Sequence, residues 1–147
     1  MNRGLERREI FQDQKDYEAF LFLCLEIHQR FKVMFHAYSL MPNHYHLMME
    51  TPGANLSRAL RHLDGVYTQG FNKRKKRRGP LFQGRYKALL IEKESYSLEL
   101  SRYIHLNPLK AKIVKRPEDH AYTSFRYYLG KRGKPEFLEV DWLLGQF

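Results

Sequence analysis

Between Asp13 and Arg30, apolar side chains at Tyr17, Phe20, Leu21, Cys24, Leu25 and Ile27, with His28 in the same series, recur at helical spacing. The pattern predicts a first amphipathic helix, with Asp13 or Asp16 available as its cap. From Phe31 to Leu40 the period falls to two. Val33, Phe35 and Ala37 line one face and Met34, His36 and Tyr38 the other, as in a strand. Met41-Pro42-Asn43 supplies turn chemistry. Tyr45, Leu47 and Met49 then alternate with His44, His46 and Met48 until Thr51-Pro52-Gly53, so the two strands form a β-hairpin.

Leu56, Leu60, Leu63, Tyr67 and Phe71 predict a second helix starting near Asn55 or Ser57, weakened by Gly65 and Gly70. Leu81 to Glu92 reads as a strand with Phe82, Tyr86, Ala88 and Leu90 in register and a bulge at Gly84. Ser95 to Asn107 is helical again through Tyr96, Leu100, Tyr103 and Asn107, and Pro108 predicts that Asn107 ends it. Beyond Lys115 the chain is turn-prone and aromatic, with short helices expected around Ser124 to Leu129 and Val140 to Leu144.

The order helix, hairpin, helix, strand, helix predicts an α+β domain with helices packed on one face of a small antiparallel sheet. At 147 residues the chain is expected to be a single domain, 1–147, with 115–147 as a helical tail. The charged start Met-Asn-Arg-Gly-Leu-Glu-Arg-Arg lacks the apolar run of a secretory signal, which places the protein in the cytoplasm. An apolar share of 43% fills a core, while scattered charge excludes a bundle of membrane spans. The single cysteine, Cys24, cannot form an internal disulfide and sits in an apolar helical pattern as a small core residue.

Charge changes the picture more. The formal net charge is +10, and a field of that sign favours polyanions, nucleic acid first. The densest run, Lys73, Arg74, Lys75, Lys76, Arg77 and Arg78, has no interleaved apolar residue. It therefore suits a phosphate backbone better than a membrane surface, although a solvated loop is the plain alternative. In Gly79-Pro80-Leu81-Phe82-Gln83-Gly84-Arg85-Tyr86-Lys87, Arg85 and Lys87 share one side of the expected strand and could follow phosphates.

Two constellations can carry chemistry. Residues two apart on a strand share a face, so His44 and His46 present two imidazoles able to chelate one divalent ion. Tyr103 and Asn107 lie one helical turn apart, bringing a hydroxyl and an amide oxygen to one place. A phenol attacking a phosphodiester needs a metal to polarise the phosphate, and Asn107 could be a third, oxygen ligand beside the histidines. Taken singly, each has a structural alternative: a partly exposed histidine pair, and a core tyrosine among the 10 of this chain.

Ala37-Tyr38-Ser39-Leu40-Met41-Pro42-Asn43-His44-Tyr45-His46-Leu47, the Gly79 to Lys87 string and Arg102-Tyr103-Ile104-His105-Leu106-Asn107-Pro108 together, in this order and spacing, resemble the REP-associated tyrosine transposases. These are relatives of the IS200-like transposases that act on single-stranded DNA. The resemblance covers nearly the whole chain. It implies a ferredoxin-like α+β domain that cleaves single-stranded DNA near a stem-loop, leaving a 5′-phosphotyrosine and a free 3′-hydroxyl. It also implies His44, His46 and Asn107 as ligands of Mg²⁺ or Mn²⁺, Tyr103 as nucleophile, and single-stranded or hairpin DNA as partner. Because the phosphotyrosine bond keeps the energy of the broken phosphodiester, the strand can be rejoined elsewhere without ATP.

One departure is visible. Members of that family usually carry a further strand ahead of the Asn-Arg-Gly that here is Asn2-Arg3-Gly4. Its absence would leave a sheet edge unpaired and favour a homodimer by strand addition, or a decayed copy. The competing readings are a domesticated module that binds stem-loop DNA or RNA without turnover, and a structural Zn²⁺ protein using His44, His46 and His105. The latter lacks the usual cysteine ligands.

Overall fold

The computed structural model describes residues 1–91 and 94–146. In chain order it contains β1 (Asn2–Arg3), α1 (Gln14–Phe31), β2 (Met34–Met41), β3 (His44–Glu50), α2 (Leu56–Lys75), α3 (Glu94–Lys110), α4 (Phe125–Tyr128) and α5 (Asp141–Leu144). The sheet is antiparallel, in the order β1-β3-β2. The expected α+β class and hairpin are therefore present. Among the described residues no helix is long and apolar enough to cross a membrane.

Asp13 caps α1, its carboxylate accepting from the Asp16 backbone N–H at 3.0 Å. The apolar face of α1 (Phe20, Leu23, Cys24, Ile27) packs with Leu60, Leu63, Tyr67 and Phe71 of α2 over the sheet face formed by Phe35, Tyr38, Leu40 and Tyr45. Burial of each large side chain contributes about 1.5–3 kcal/mol before entropy is subtracted. Asp16 is not the cap. It is fully buried and holds Arg74 at 3.0 Å and Lys75 at 3.1 Å, which fastens the end of α2 to the start of α1.

The sheet departs from the simple alternation at one point. The register shifts between Phe35 and Ala37, so that Phe35 faces Met49 while Ala37 faces Met48. His36 is the extra residue, and the bulge sends Phe35 and Ala37 to opposite faces instead of the shared face expected. Ala37 consequently joins Met48, Ile104 and Leu143 in a second apolar cluster. α1 and α2 cover one sheet face, and α3 lies across the other.

α3 also differs from the pattern that predicts it. Among its described residues, Ser97, Ser101, Ile104, His105 and Pro108 are buried, whereas Tyr96 and Tyr103 are exposed. It continues through Pro108 to Lys110, because the missing Pro108 N–H costs only one bond and Ala111 N–H still closes onto Asn107 O at 3.0 Å.

The strand expected over Leu81 to Glu92 does not form as such. As far as Ile91 it is an extended segment with one bridge, Phe82 to Gly4, and Glu92 lies outside the described residues. It runs beside β1: Leu5 N–H donates to Leu81 O at 2.9 Å, Gln83 N–H to Arg3 O at 2.8 Å and Lys87 N–H to Met1 O at 2.8 Å. At Gly84 the ladder is interrupted, and the Gly84 carbonyl accepts from the Asn2 side chain at 3.2 Å. A two-residue β1 cannot template a longer partner, and Ala88, Leu89 and Leu90 remain exposed.

Asn2 and Arg3 thus serve as the strand beside this end of β3, and their outer edge is covered by the segment from Leu81. Glycine is required just after them: a Cβ at Gly4 would stand 2.1 Å from the Arg8 carbonyl oxygen. The tail covers the outer edge of β2 through bridges Ser39–Thr123 and Phe35–Leu138, and its short helices α4 and α5 fall where expected.

Candidate active site

β3 places His44 and His46 on the sheet face that α3 covers. Cross-strand pairing puts Met41 and Arg3 opposite His44, and Ser39 opposite His46. The intervening Tyr45 points the other way, where its hydroxyl donates to Asp64 at 2.7 Å. Asn2 donates to the same carboxylate at 2.8 Å, so α2 pins β1 and β3 in register from beneath. Burial holds the Asp64 carboxyl above its ordinary range despite these two hydrogen bonds.

From the other side α3 brings Asn107 and Tyr103. Asn107 Oδ1 lies 3.1 Å from His44 Nε2. The Tyr103 ring stands edge-on to His46, with centroids 5.6 Å apart, and the two imidazoles are 5.1 Å apart. Tyr103 is 44% exposed, which disposes of the core alternative for this tyrosine. Lys110 Nζ lies 5.1 Å from the centre of its ring. All four residues singled out in the sequence therefore meet in one place.

Both imidazoles favour the neutral form. Burial lowers the His44 pKa, opposed by the contact with Asn107 and assisted by Arg3. Burial, with His44 and Arg3 among the further causes, lowers that of His46 to about 4. Neutral His44 has one ring proton and two oxygen neighbours, since its Nδ1 lies 2.7 Å from Asn43 Oδ1. When Nδ1–H donates to Asn43, the Nε2 lone pair faces the Asn107 carbonyl oxygen, also a lone pair, at 3.1 Å.

In that tautomer two acceptors face a common cation position; in the other, Nε2–H donates to Asn107 Oδ1. Neighbouring donors of an octahedral ion with bonds of about 2.1 Å stand about 3.0 Å apart, so the observed separation fits Mg²⁺ or a similar ion. Among the described residues no three His, Cys, Asp or Glu side chains gather, and the oxygen beside His44 Nε2 is the amide oxygen of Asn107.

Asn43, which the sequence presents only as a turn residue, orients His44, as partners of ligating histidines do. Its position directly before the His-x-His pair was the available signal. His105 is not part of the centre: it is buried, with Nε2 2.6 Å from Ser124 Oγ, which removes the third histidine of the zinc reading.

The basic run divides. Arg74 and Lys75 are held by Asp16 and Asp13, and Arg77 by Asn72 Oδ1 at 2.7 Å and the Pro80 carbonyl at 2.6 Å. Lys73, Lys76 and Arg78 are exposed, and so are Arg85 and Lys87. A groove of about 850 Å³, lined in part by Leu47, Met49, Leu89, Ile91, Leu100 and Trp142, opens beside His46.

No curated protein matches the chain. A solved structure of a REP-associated tyrosine transposase bound to a REP hairpin has the same fold: the TM-score is 0.69 at 17% identity, over 95% of this chain and 82% of that one. The family described as IS200-like transposases matches residues 1–107, a stretch that takes in His44, His46, Tyr103 and Asn107. This chain belongs to that family, the IS200-like transposases.

Proposed function

We propose that the protein cleaves and rejoins single-stranded DNA beside stem-loops, with Tyr103 as nucleophile and His44, His46 and Asn107 holding Mg²⁺ or Mn²⁺. The observation that carries this reading is the convergence of an exposed tyrosine, two neutral imidazoles and an amide oxygen on one sheet face. When bound, the metal supplies Lewis acidity toward a phosphate oxygen.

The residues do the rest. Tyr103 Oη forms a bond to phosphorus as the bond to the 3′-oxygen breaks. The phenol gives up its proton to solvent and the departing 3′-oxygen takes one up. The strand remains on Tyr103 as a 5′-phosphotyrosine, and attack by another 3′-hydroxyl reverses the step without ATP. Exposed Arg85 and Lys87, with Lys73, Lys76 and Arg78, supply cationic surface for the backbone, and the groove beside His46 gives unstacked bases an apolar wall.

The test is a denaturing gel with labelled single-stranded stem-loops from DNA flanking the gene, in Mn²⁺ or EDTA. A Mn²⁺-dependent covalent adduct, absent in Tyr103→Phe, is the expected result. Tight binding of the same hairpins with no adduct would replace the enzyme by a binding module.

A further inference from the structure

We propose that Arg3 is the phosphate-binding arm of this centre, its guanidinium gripping the phosphate on which Tyr103 acts. The inference rests on the DNA-cleaving reading above. Arg3 lies directly opposite His44 in the β1–β3 pairing, and such cross-strand partners carry Cβ atoms about 4.5–5.5 Å apart on one face. It therefore shares the face of His44 and His46, while its neighbour Asn2 turns to Asp64 on the other.

The strand beneath it is fixed on both sides. Arg3 N–H donates to Asn2 Oδ1 at 2.8 Å, Arg3 O accepts from Gln83 N–H at 2.8 Å, and Gly4 N–H donates to Asn43 O at 2.9 Å. Among the described residues the guanidinium has no carboxylate partner and no hydrogen bond. In this it differs from Arg74, Arg77 and Arg116, all of which are engaged.

Electrostatics gives the unpaired cation a meaning. Its positive charge is carried on the face of His44 and His46, directly across from His44, and repels positive charge held there. The same repulsion acts on any metal ion those residues hold, so in the DNA-free protein Arg3 opposes metal binding. The conflict disappears once an anion lies between guanidinium and metal, and the planar fork of arginine matches two oxygens of a phosphate. Arg3 should therefore make metal and phosphate bind cooperatively, each favouring the other.

The experiment measures two affinities on the full chain: Mn²⁺ without DNA by calorimetry, and single-stranded oligonucleotides ending in a 5′-phosphate or a 5′-hydroxyl. For Arg3→Gln we expect Mn²⁺ to bind about two- to fivefold tighter, from relief of one repulsion. We also expect the preference for the 5′-phosphate to vanish. Arg3→Lys keeps the charge and should retain weak Mn²⁺ binding and part of the preference.

These changes have opposite signs, which a merely structural role cannot produce. Weaker Mn²⁺ binding in Arg3→Gln, or a phosphate preference equal to that of the unaltered protein, would overturn the proposal. Arg3-dependent phosphate preference in a protein that forms no adduct with stem-loops would uphold Arg3 and remove the cleavage reading instead.

Discussion

His44 Nε2 and Asn107 Oδ1 stand 3.1 Å apart although 63 residues separate them along the chain. One comes from a strand and the other from a helix on the far side of a second core, so the packing of α3 sets their spacing. Asn107→Ala removes one donor without disturbing either element. It is expected to weaken Mn²⁺ binding roughly tenfold to a hundredfold, with Asn107→Asp restoring it. Calorimetric titration of the two variants measures this, and unchanged affinity in Asn107→Ala would release Asn107 from the ligand set.

Tyr103→Phe tests chemistry apart from folding. The side chain is 44% exposed, so its loss should change stability by no more than about 0.5 kcal/mol. Affinity for hairpin DNA should stay nearly unaltered while the covalent adduct disappears. An adduct that persists would direct attention to another exposed tyrosine, Tyr96 first.

The two halves of the basic run should behave differently. Neutralising Lys73, Lys76 and Arg78 is expected to leave stability unchanged and to lower the slope of log affinity against log salt by about one unit for each phosphate no longer gripped. Arg74→Gln instead weakens the hold on buried Asp16 and should cost about 1–3 kcal/mol in urea unfolding. A changed salt slope with stability spared in Arg74→Gln would refute this division of labour.

A pH dependence follows from His105. Burial lowers its folded-state pKa to about 4, against an ordinary value near 6.5. The unfolded chain then binds more protons between these values, so stability falls as pH drops from about 6.5 toward 4, by about 1.4 kcal/mol per pH unit for this one group. His105→Gln should flatten the profile in that window. Urea midpoints from pH 7 to pH 4.5 measure it, and identical slopes would show that another group governs acid lability.

The parts legible in the sequence were those set by local spacing. The His44–His46 pair and the Tyr103–Asn107 pair each follow from one element's own period, and α1 and α2 from their apolar faces. The parts that were not legible depend on pairing across the chain. The bulge at His36 leaves no mark in a segment whose two faces are both largely apolar. α3 shows a misleading stripe because its buried face mixes Ile104 and Pro108 with Ser97, Ser101 and His105, polar residues able to hydrogen-bond inside. The Leu81 segment alternates like a strand but meets a partner two residues long. Arg3 joins the centre only because β1 lies against β3, which brings it to His44 from far along the chain.

The tail from Lys115 lies past the stretch matched by the family, residues 1–107, yet it fastens the helix that carries Tyr103. Ser124 Oγ accepts from the Tyr38 backbone N–H at 2.9 Å and bonds His105, Phe125 and Tyr128 pack on the same imidazole, and Leu143 closes over Ile104. The tail thus works as a clamp on α3. Changes confined to the tail would therefore alter how firmly Tyr103 and Asn107 are held against His46 and His44, leaving all four side chains unchanged.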